Sequence, residues 1–235
     1  YSPINNLLEK AACIARRSKE TAGEIEPTEG YKRRQINELI KFTNNRNLWV
    51  NLSCLTLTYM DKGGENEVFH DGKVSVIKLN NFEYAGDDLE NFFIRITVHN
   101  KFFSNVPYQM IGFAYNSEQK FCAVLIQPYI LAEREATEDE IAAYMQALGF
   151  KMDYYDEYHN EDYEVFDAAP NNVLYGIDGN LYFIDTHKIK IIDDNKAGSH
   201  NAMFTETKKP PFRGGLTMGS LTQKSFGKSP YGYTK

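Results

Sequence analysis

The stretch DAAPNNVLYGIDGNLYFID, residues 167 to 185, carries three oxygen-bearing side chains at a spacing that could do chemistry. Asp167 is followed five positions later by Asn172, and Asp185 ends the stretch. A carboxylate and an amide carbonyl are hard oxygen ligands that suit Mg²⁺, which also keeps water and substrate phosphates as ligands. A carboxylate that holds no metal can accept a proton or orient a hydroxyl group. The alternative is a polar turn, because Asp and Asn are common in turns.

The residues between these side chains favour the metal site. NNVLY and LYFID have the apolar, β-forming composition of short strands, and Asp178-Gly179 between them is typical of a two-residue hairpin turn. Such a turn brings the far ends of its strands together. We therefore expect Asn172 and Asp185 to be neighbours in space and Asp167 to face the same cleft.

Lys78 marks a second candidate site, because it is a lone cation in the apolar strand VSVIKL. A lysine there either reaches the surface with its ammonium group or points into a cleft at an anion. The stretch KGGENEVF lies one hairpin arm earlier, and Gly63 and Gly64 would let the backbone approach a phosphate and donate its amides. The alternative is that these glycines form an ordinary turn and that Lys78 is a surface residue.

The elements that must position these residues follow from the hydrophobic pattern. Residues 1 to about 50 are predicted to be helical in SPINNLLEKAACIARRSKE and RRQINELIKFTNNRNLW, with TAGEIEPTEG as a loop between them. From about 52 to 128 the pattern predicts three strands, a helix with Asp87 or Asp88 at its N-cap, and two further strands. We expect an Asp71-Gly72 turn after the second strand and a turn at 116–118 between the last two.

The pattern changes again past Gln127. TEDEIAAYMQALGF is predicted to be a helix with Thr137 and Glu140 as a capping box and Gly149 at its end. The acidic, tyrosine-rich stretch DYYDEYHNEDYEVFD leads into the candidate site at Asp167. We interpret it as a solvated loop, with selection of substrates by charge as the alternative.

Composition restricts the classes of function. The chain has 235 residues, of which 42% are hydrophobic, enough for one large domain or two small lobes around a cleft. No apolar run reaches the roughly 18 residues that a membrane-spanning helix needs, and no signal-peptide pattern opens the sequence. The three cysteines, Cys13, Cys54 and Cys122, offer neither a metal-binding pair nor a disulfide framework, which favours a reducing cytoplasm. His99 and His187 are interpreted as structural or solvent-exposed.

Charge is distributed unevenly along the chain. The net charge of −6 makes nucleic acid an unlikely partner. From Lys188 onward the sequence carries +6, and the rest carries −12. We expect residues 196–235 to form an extended basic tail that packs on the body through aromatic side chains such as Phe204 and Phe212. A solvated tail is the simplest interpretation, and a partner site is the alternative.

The order of these features resembles the protein-kinase-like fold. KGGENEVF is similar to the loop that covers the phosphates, although kinases usually carry three spaced glycines. VSVIK resembles the strand-3 motif V-A-I-K, which implies that Lys78, with Gly63 and Gly64, binds nucleotide phosphates. QPYI resembles the hinge between two lobes, which implies that Gln127 and Tyr129 meet the adenine of the nucleotide.

The catalytic motifs of kinases also have counterparts in this chain. VFDAAPNN resembles the catalytic loop H-R-D-x-x-x-x-N, which implies that Asp167 is the catalytic base and Asn172 a metal ligand. FIDT resembles the strand that ends in the metal-binding D-F-G, with Asp185 as its Asp. More narrowly, GGENEVF, TEDEIAAYMQALGF and DGNLYFID resemble the small kinase-like domain of polyvalent proteins of phages and bacterial mobile elements.

The sequence departs from regulated kinases in three places. No segment ending in A-P-E follows Asp185, only 50 residues remain after it, and Val165-Phe166 replace the His-Arg of the catalytic loop. These differences concern the protein-substrate groove more than nucleotide or metal binding. Glu90 lies in the helix that would supply a partner for Lys78, near the start of that helix.

The resemblance implies an α+β, two-lobed kinase-like fold. We expect an N-terminal helical extension over 1–51, an N-lobe over 52–128, a reduced C-lobe with the catalytic loop over 129–195, and the tail over 196–235. The implied function is an ATP- and Mg-dependent transfer of the γ-phosphate to a hydroxyl of a protein or small molecule. The alternative is a pseudokinase that binds nucleotide, or a module that binds only a partner, without transfer.

Overall fold

The structure, a computed structural model, describes residues 4–20, 28–186 and 190–191. The predictions for the tail, with Phe204 and Phe212, and for His187 lie outside the described residues. Within the described ranges, none of the helices combines the length and the apolar character needed to cross a bilayer.

Four α-helices are described: α1 (Ile4–Glu20), α2 (Thr28–Arg46), α3 (Leu89–Phe102) and α4 (Glu138–Ala147). The N-terminal region is helical as predicted, but α2 already begins at Thr28, within the segment expected to be a loop. Of the two candidate N-caps of α3, Asp88 is the one used, because its side chain accepts a hydrogen bond from the Glu90 amide.

Helix α4 is delimited by the signals that its sequence predicted. Thr137 and Glu140 form a capping box at its start. At its end Gly149 adopts the left-handed conformation, with φ of 87°. The Phe150 N–H donates to the Met145 carbonyl at 3.0 Å, which completes a Schellman motif. Both ends of α4 are therefore encoded locally.

One antiparallel sheet has five strands in the order β1-β2-β3-β5-β4. Its strands are β1 (Thr58–Lys62), β2 (Asn66–His70), β3 (Ser75–Asn80), β4 (Gln109–Tyr115) and β5 (Phe121–Pro128). With α3 between β3 and β4, this is the predicted order of three strands, a helix and two strands. The first strand begins later than expected, because Leu52–Cys54 form a 3₁₀ turn instead.

Two smaller antiparallel sheets follow the fifth strand, in the orders β11-β10-β6 and β12-β9-β8-β7. Their strands are β6 (Ala132–Glu135), β7 (Lys151–Tyr154), β8 (Glu157–His159), β9 (Tyr163–Val165), β10 (Val173–Gly176), β11 (Leu181–Phe183) and β12 (Lys190–Ile191). The acidic stretch expected to be a solvated loop is therefore mostly β7, β8 and β9, and that prediction was wrong. Tyr158, Tyr163 and Val165 are buried and give these strands an apolar side.

Both Asp-Gly pairs lie in hairpin turns, but each loop has three residues rather than two. In the β2–β3 hairpin the Asp71 N–H donates to the Ser75 carbonyl at 3.1 Å. In the β10–β11 hairpin the Gly176 N–H donates to the Asn180 carbonyl at 2.9 Å, with Gly179 at φ 77°. A left-handed glycine at the end of a three-residue loop is a common hairpin arrangement.

Helix α3 lies between two apolar clusters. Its Phe93 and Ile96 pack with α1, α2 and one face of the five-stranded sheet. Its Val98 and the adjoining Phe103 belong to a second cluster with residues of α4 and β8 to β11. The Phe103 ring stacks on that of Phe183 in β11, with 4.2 Å between ring centroids. The helix thus connects the sheet that carries Lys78 with the hairpin that precedes Asp185.

Candidate functional site

The β10–β11 hairpin brings Asn172 and the segment before Asp185 together. Val173 pairs with Phe183 across the hairpin, and the Ile184 N–H donates to the Asn172 carbonyl at 2.9 Å. The expected proximity of Asn172 and Asp185 therefore follows from strand pairing, although the loop between the strands is one residue longer than predicted.

A hydrogen bond joins the two ends of the loop from Asp167 to Asn172. The Asn172 Nδ2 donates to the Asp167 carbonyl at 3.0 Å, and Asn171 Nδ2 donates to Asn172 Oδ1 at 3.1 Å. Asp167 has φ of 61°, in the left-handed region that few residues other than glycine adopt and that Asp tolerates. Such conformations cost energy and cluster at functional sites. The loop thus fixes Asp167 relative to Asn172.

Lys78 is a buried lysine, and the alternative of a surface lysine was wrong. Its side chain is 8% exposed, and its ammonium donates to the Ile184 carbonyl at 2.8 Å. The Asp185 carboxylate lies 4.0 Å from the same nitrogen. Burial lowers the pKa of Lys78 below its ordinary value, while the negative charges of Asp185 and Glu65 act in the opposite direction. A cation and a carboxylate are therefore held side by side in a largely buried site.

Tyr108 is a second contact of Lys78 that the sequence did not indicate. Its hydroxyl accepts from the Lys78 ammonium at 3.1 Å and donates to the Ile184 carbonyl at 3.0 Å. Burial raises the pKa of Tyr108 well above its ordinary value, so the phenol keeps its proton. Asn100 of α3 bonds both the N–H and the carbonyl of Tyr108, at 2.7 and 2.8 Å. Tyr108 belongs to none of the sequence motifs, so its contact with Lys78 could not be predicted from the residues around it.

Glu90 pairs with Arg16 of α1 rather than with Lys78. The Arg16 Nε lies 2.6 Å from the Glu90 carboxylate. The reason is its position, because Glu90 lies in the first turn of α3, where α1 packs. The residues of α3 that reach the cavity beside Asp185 are Arg95, Ile96 and His99.

His99 connects α3 to the residue after Asp185. Its Nε2 lies 3.1 Å from the Val106 carbonyl, which can only accept, so Nε2 carries the proton. Its Nδ1 therefore accepts from the Thr186 hydroxyl, at 3.0 Å. Burial lowers the pKa of His99 to about 4, and the ring is neutral at pH 7. The sequence predicted a structural or solvent-exposed histidine at this position. It is buried, and it holds the segment that carries Asp185.

The depressed pKa of His99 predicts a pH-dependent stability. An unfolded chain binds this proton near pH 6.5, whereas the native protein binds it only near pH 4. As the pH falls, the unfolded state therefore gains this proton first. The contribution of His99 to the free energy of unfolding is present above pH 6.5 and is lost as the pH falls towards 4. Between pH 7.5 and 5 the free energy of unfolding should fall by about 2 kcal/mol more in wild type than in His99→Gln. Urea unfolding of both proteins at the two pH values measures this, and parallel losses would contradict it.

The glycine turn between β1 and β2 is exposed at its tip and buried at its base. Gly63 and Gly64 are exposed, and the Gly63 N–H donates to the Asn66 carbonyl at 2.9 Å. A Cβ on Gly64 would come within 2.0 Å of the Tyr84 hydroxyl, the end of an exposed side chain, so the tyrosine would have to move for a larger residue to fit. The next residue, Glu65, is 2% exposed and points inward.

A small cavity, with room for about one water molecule, lies between the glycine turn, α3 and the end of β11. Its lining includes Glu65, Asn80, Arg95, His99, Tyr108 and Asp185. Lys78 reaches Asp185 and Tyr108 of this lining directly. Charged side chains of both signs therefore lie between the base of the glycine turn and Asp185.

The two expected hinge residues use their donors within the protein. The Gln127 side-chain amide donates to the Val106 carbonyl at 3.1 Å. The Tyr129 N–H donates to the Val74 carbonyl at 2.7 Å, because β5 stays paired with β3 up to Pro128. Neither donor points at an adenine in this arrangement.

The oxygen atoms of Asn172 and Asp185 suit a hard divalent cation. Among the described residues, no group of three or more His, Cys, Asp or Glu side chains is placed to hold a metal. A Mg²⁺ ion needs fewer, because it commonly binds one or two carboxylates and completes its shell with water and substrate phosphates. One carboxylate and one amide carbonyl at adjoining strand ends are ligands of the type that Mg²⁺ takes, and in this structure Asn172 Oδ1 accepts from Asn171 Nδ2 at 3.1 Å.

A comparison with protein families matches most of this chain. A family model described as a serine/threonine/tyrosine kinase found in polyvalent proteins matches residues 32–192, more than half of the chain. This range contains all the candidate site residues. Comparisons with curated proteins and with solved structures found no significant match.

Proposed function

Because the chain belongs to the family of serine/threonine/tyrosine kinases found in polyvalent proteins, we propose that it transfers the γ-phosphate of ATP to a hydroxyl group with the help of Mg²⁺. Its mixed α/β fold of helices and antiparallel sheets is consistent with that family. We further propose that 52–128 and 129–195 form two lobes, with 1–51 as a helical extension and 196–235 as a tail.

The observation that supports this proposal most is the meeting of Lys78 with the end of the β10–β11 hairpin. The Lys78 ammonium lies 2.8 Å from the Ile184 carbonyl and 4.0 Å from the Asp185 carboxylate. Ile184 follows Lys78 by 106 positions in the sequence. A kinase needs a cation for the phosphates beside a carboxylate for the metal, and Lys78 and Asp185 would supply that pair.

In the proposed mechanism most of the catalytic effect comes from positioning and charge. Bound Mg²⁺ would offset the negative charge of the phosphates. Lys78, together with Gly63 and Gly64, would bind the phosphates, and Asn172 and Asp185 would hold the metal. Asp167 would accept the proton of the attacking hydroxyl.

The acceptor in this proposal is a hydroxyl of a protein or small molecule, and no nucleic acid is involved. We propose that Gln127 and Tyr129 adjoin the adenine through groups other than the two donors already engaged. The family supports a nucleotide and an acceptor as partners in general terms.

A nucleotide-binding pseudokinase is the second candidate. It is favoured by Val165 and Phe166, which stand where the catalytic loop of kinases carries His-Arg. Such a protein would keep Lys78 and Asp185 for nucleotide and metal but would transfer nothing.

The proposal is tested with wild type, Lys78→Met and the control Lys73→Met, which changes an exposed lysine of the β2–β3 loop. Lys78→Met should weaken Mg-ATP binding at least tenfold, since a charge-assisted hydrogen bond contributes roughly 1.5–3 kcal/mol. Lys73→Met should bind like wild type. Calorimetry measures affinity, and labelled ATP measures transfer.

Three results would decide between the candidates. Equal Mg-ATP affinity in wild type and Lys78→Met would remove Lys78 from the site. A wild type that binds Mg-ATP but transfers nothing to itself, water or an added acceptor would be a pseudokinase. A wild type that binds no nucleotide at all would overturn both candidates.

A further inference from the structure

An arginine of α3 forms an ion pair with the residue that follows the glycine turn. The Arg95 guanidinium donates to the Glu65 carboxylate at 2.8 Å, and the two side chains are 8% and 2% exposed. Glu65 directly follows Gly64 in the sequence. The ion pair therefore ties the middle of α3 to the base of the turn.

The same turn is also tied to the end of β3, close to Lys78. The Asn81 N–H donates to the Glu65 carbonyl at 2.8 Å, and Asn80 Nδ2 donates to Asn66 Oδ1 at 2.9 Å. These bonds attach the backbone at the base of the turn to the end of β3. The bond from Arg95 attaches the Glu65 carboxylate to α3. Together they fix the turn over the cavity from two sides.

Two carboxylates adjoin the cavity, and Arg95 offsets the charge of one of them. Glu65 and Asp185 contribute two carboxylates, and Lys78 lies 4.0 Å from the second of them. A buried carboxylate without a partner would repel phosphates and attract the lysine. Arginine suits the task because its guanidinium stays charged when buried and its planar fork matches a carboxylate.

We propose that Arg95 is a positioning residue of the nucleotide site: it holds the glycine turn in place through Glu65 and neutralises that carboxylate, so that Lys78 remains available to phosphates. This inference rests on the proposed function. In this proposal α3 contributes Arg95, which binds Glu65 at the base of the glycine turn. The sequence had predicted a different contribution from α3, an ion pair between Glu90 and Lys78.

The first measurement needs no nucleotide. Hydrogen exchange is compared in wild type, Arg95→Met and Arg134→Met, which breaks the exposed Arg134–Glu140 ion pair of 2.7 Å away from the cavity. The Gly63 N–H donates to the Asn66 carbonyl and the Asn81 N–H to the Glu65 carbonyl. Both amides should exchange at least tenfold faster in Arg95→Met. They should be unchanged in Arg134→Met. A contribution to global stability alone would speed exchange across the core and not selectively at the turn.

The second measurement is a Mg-ATP titration that includes the double variant Glu65→Gln/Arg95→Met. Arg95→Met should bind at least tenfold more weakly than wild type, because the charge of Glu65 is no longer offset by Arg95 beside the phosphates. Removing that charge in the double variant should restore the affinity to within a few-fold. In turnover experiments the loss should appear in KM for ATP and leave kcat nearly unchanged, since Arg95 touches no reacting atom.

The outcomes separate this inference from the proposed function. Wild-type affinity and wild-type exchange at the turn in Arg95→Met would overturn the inference and leave the proposed function intact. If wild type binds no nucleotide, the proposed function fails, and the role assigned to Arg95 at a nucleotide site fails with it. Should Arg95→Met not fold, Glu65→Gln breaks the same link from the turn, and unchanged exchange of Gly63 and Asn81 in that variant would overturn the inference.

Discussion

Asp167→Asn should lower the rate of phosphate transfer by on the order of 10²–10⁴ and leave the affinity for Mg-ATP near that of wild type. The side chain keeps its size and loses the ability to accept a proton from the acceptor hydroxyl. The loop should keep its shape, because the bond from Asn172 goes to the carbonyl of Asp167 and not to its carboxylate. Asn also tolerates the left-handed backbone that this position adopts.

Single-turnover transfer from labelled ATP measures the rate, and calorimetry measures the affinity. Asp139→Asn, an exposed carboxylate in the first turn of α4, is the matched control and should leave both quantities unchanged. A transfer rate in Asp167→Asn within a few-fold of wild type would remove Asp167 as the general base. An equal loss of affinity and rate would point to a damaged loop instead.

Asp185→Asn should fail differently, with Mg-dependent binding of ATP and turnover falling together. Replacing a carboxylate by an amide removes a negative charge from the proposed metal site, where a hard dication prefers charged oxygen ligands. We expect the affinity for Mg-ATP to fall at least about tenfold, the scale seen when groups around a metal ligand are removed. Without Mg²⁺, the variant should bind ATP no more weakly than wild type, because a charge repelling the phosphates is gone.

The matched control for this variant is Asp178→Asn in the turn of the same hairpin. Asp178 bonds Tyr182 and Asn180 on the exposed side and does not line the cavity. It should bind Mg-ATP like wild type. If Asp185→Asn binds Mg-ATP as tightly as wild type, the metal site has been misplaced and the kinase assignment fails at its central residue.

Local sequence was sufficient wherever the interactions are local. The ends of α4 were predicted because a capping box and a left-handed glycine involve residues a few positions apart. The proximity of Asn172 and Asp185 was predicted because a short loop forces the strand ends of one hairpin to meet. The order of strands and α3 followed from hydrophobic periodicity, which depends on the same short distances along the chain.

Local sequence was misleading where burial depends on distant elements. Charge and tyrosine content suggested a loop for the stretch before Asp167, but Tyr158 and Tyr163 are buried in a cluster with residues of α3 and α4. The loop of the β10–β11 hairpin has one residue more than predicted, because an Asp-Gly pair is compatible with two-residue and three-residue loops. The pairing of the flanking strands selects between them.

The surroundings of Lys78 were decided by tertiary packing. The sequence identified the lysine and Asp185, but their shared contact, Tyr108, belongs to a segment without any motif. Glu90 was assigned to Lys78 because it lies in the expected helix, yet packing against α1 turns it to Arg16 and leaves Arg95 and His99 at the cavity. The physical reason is that periodicity shows which residues share a face of a helix, whereas only the packed neighbours determine which face meets the site.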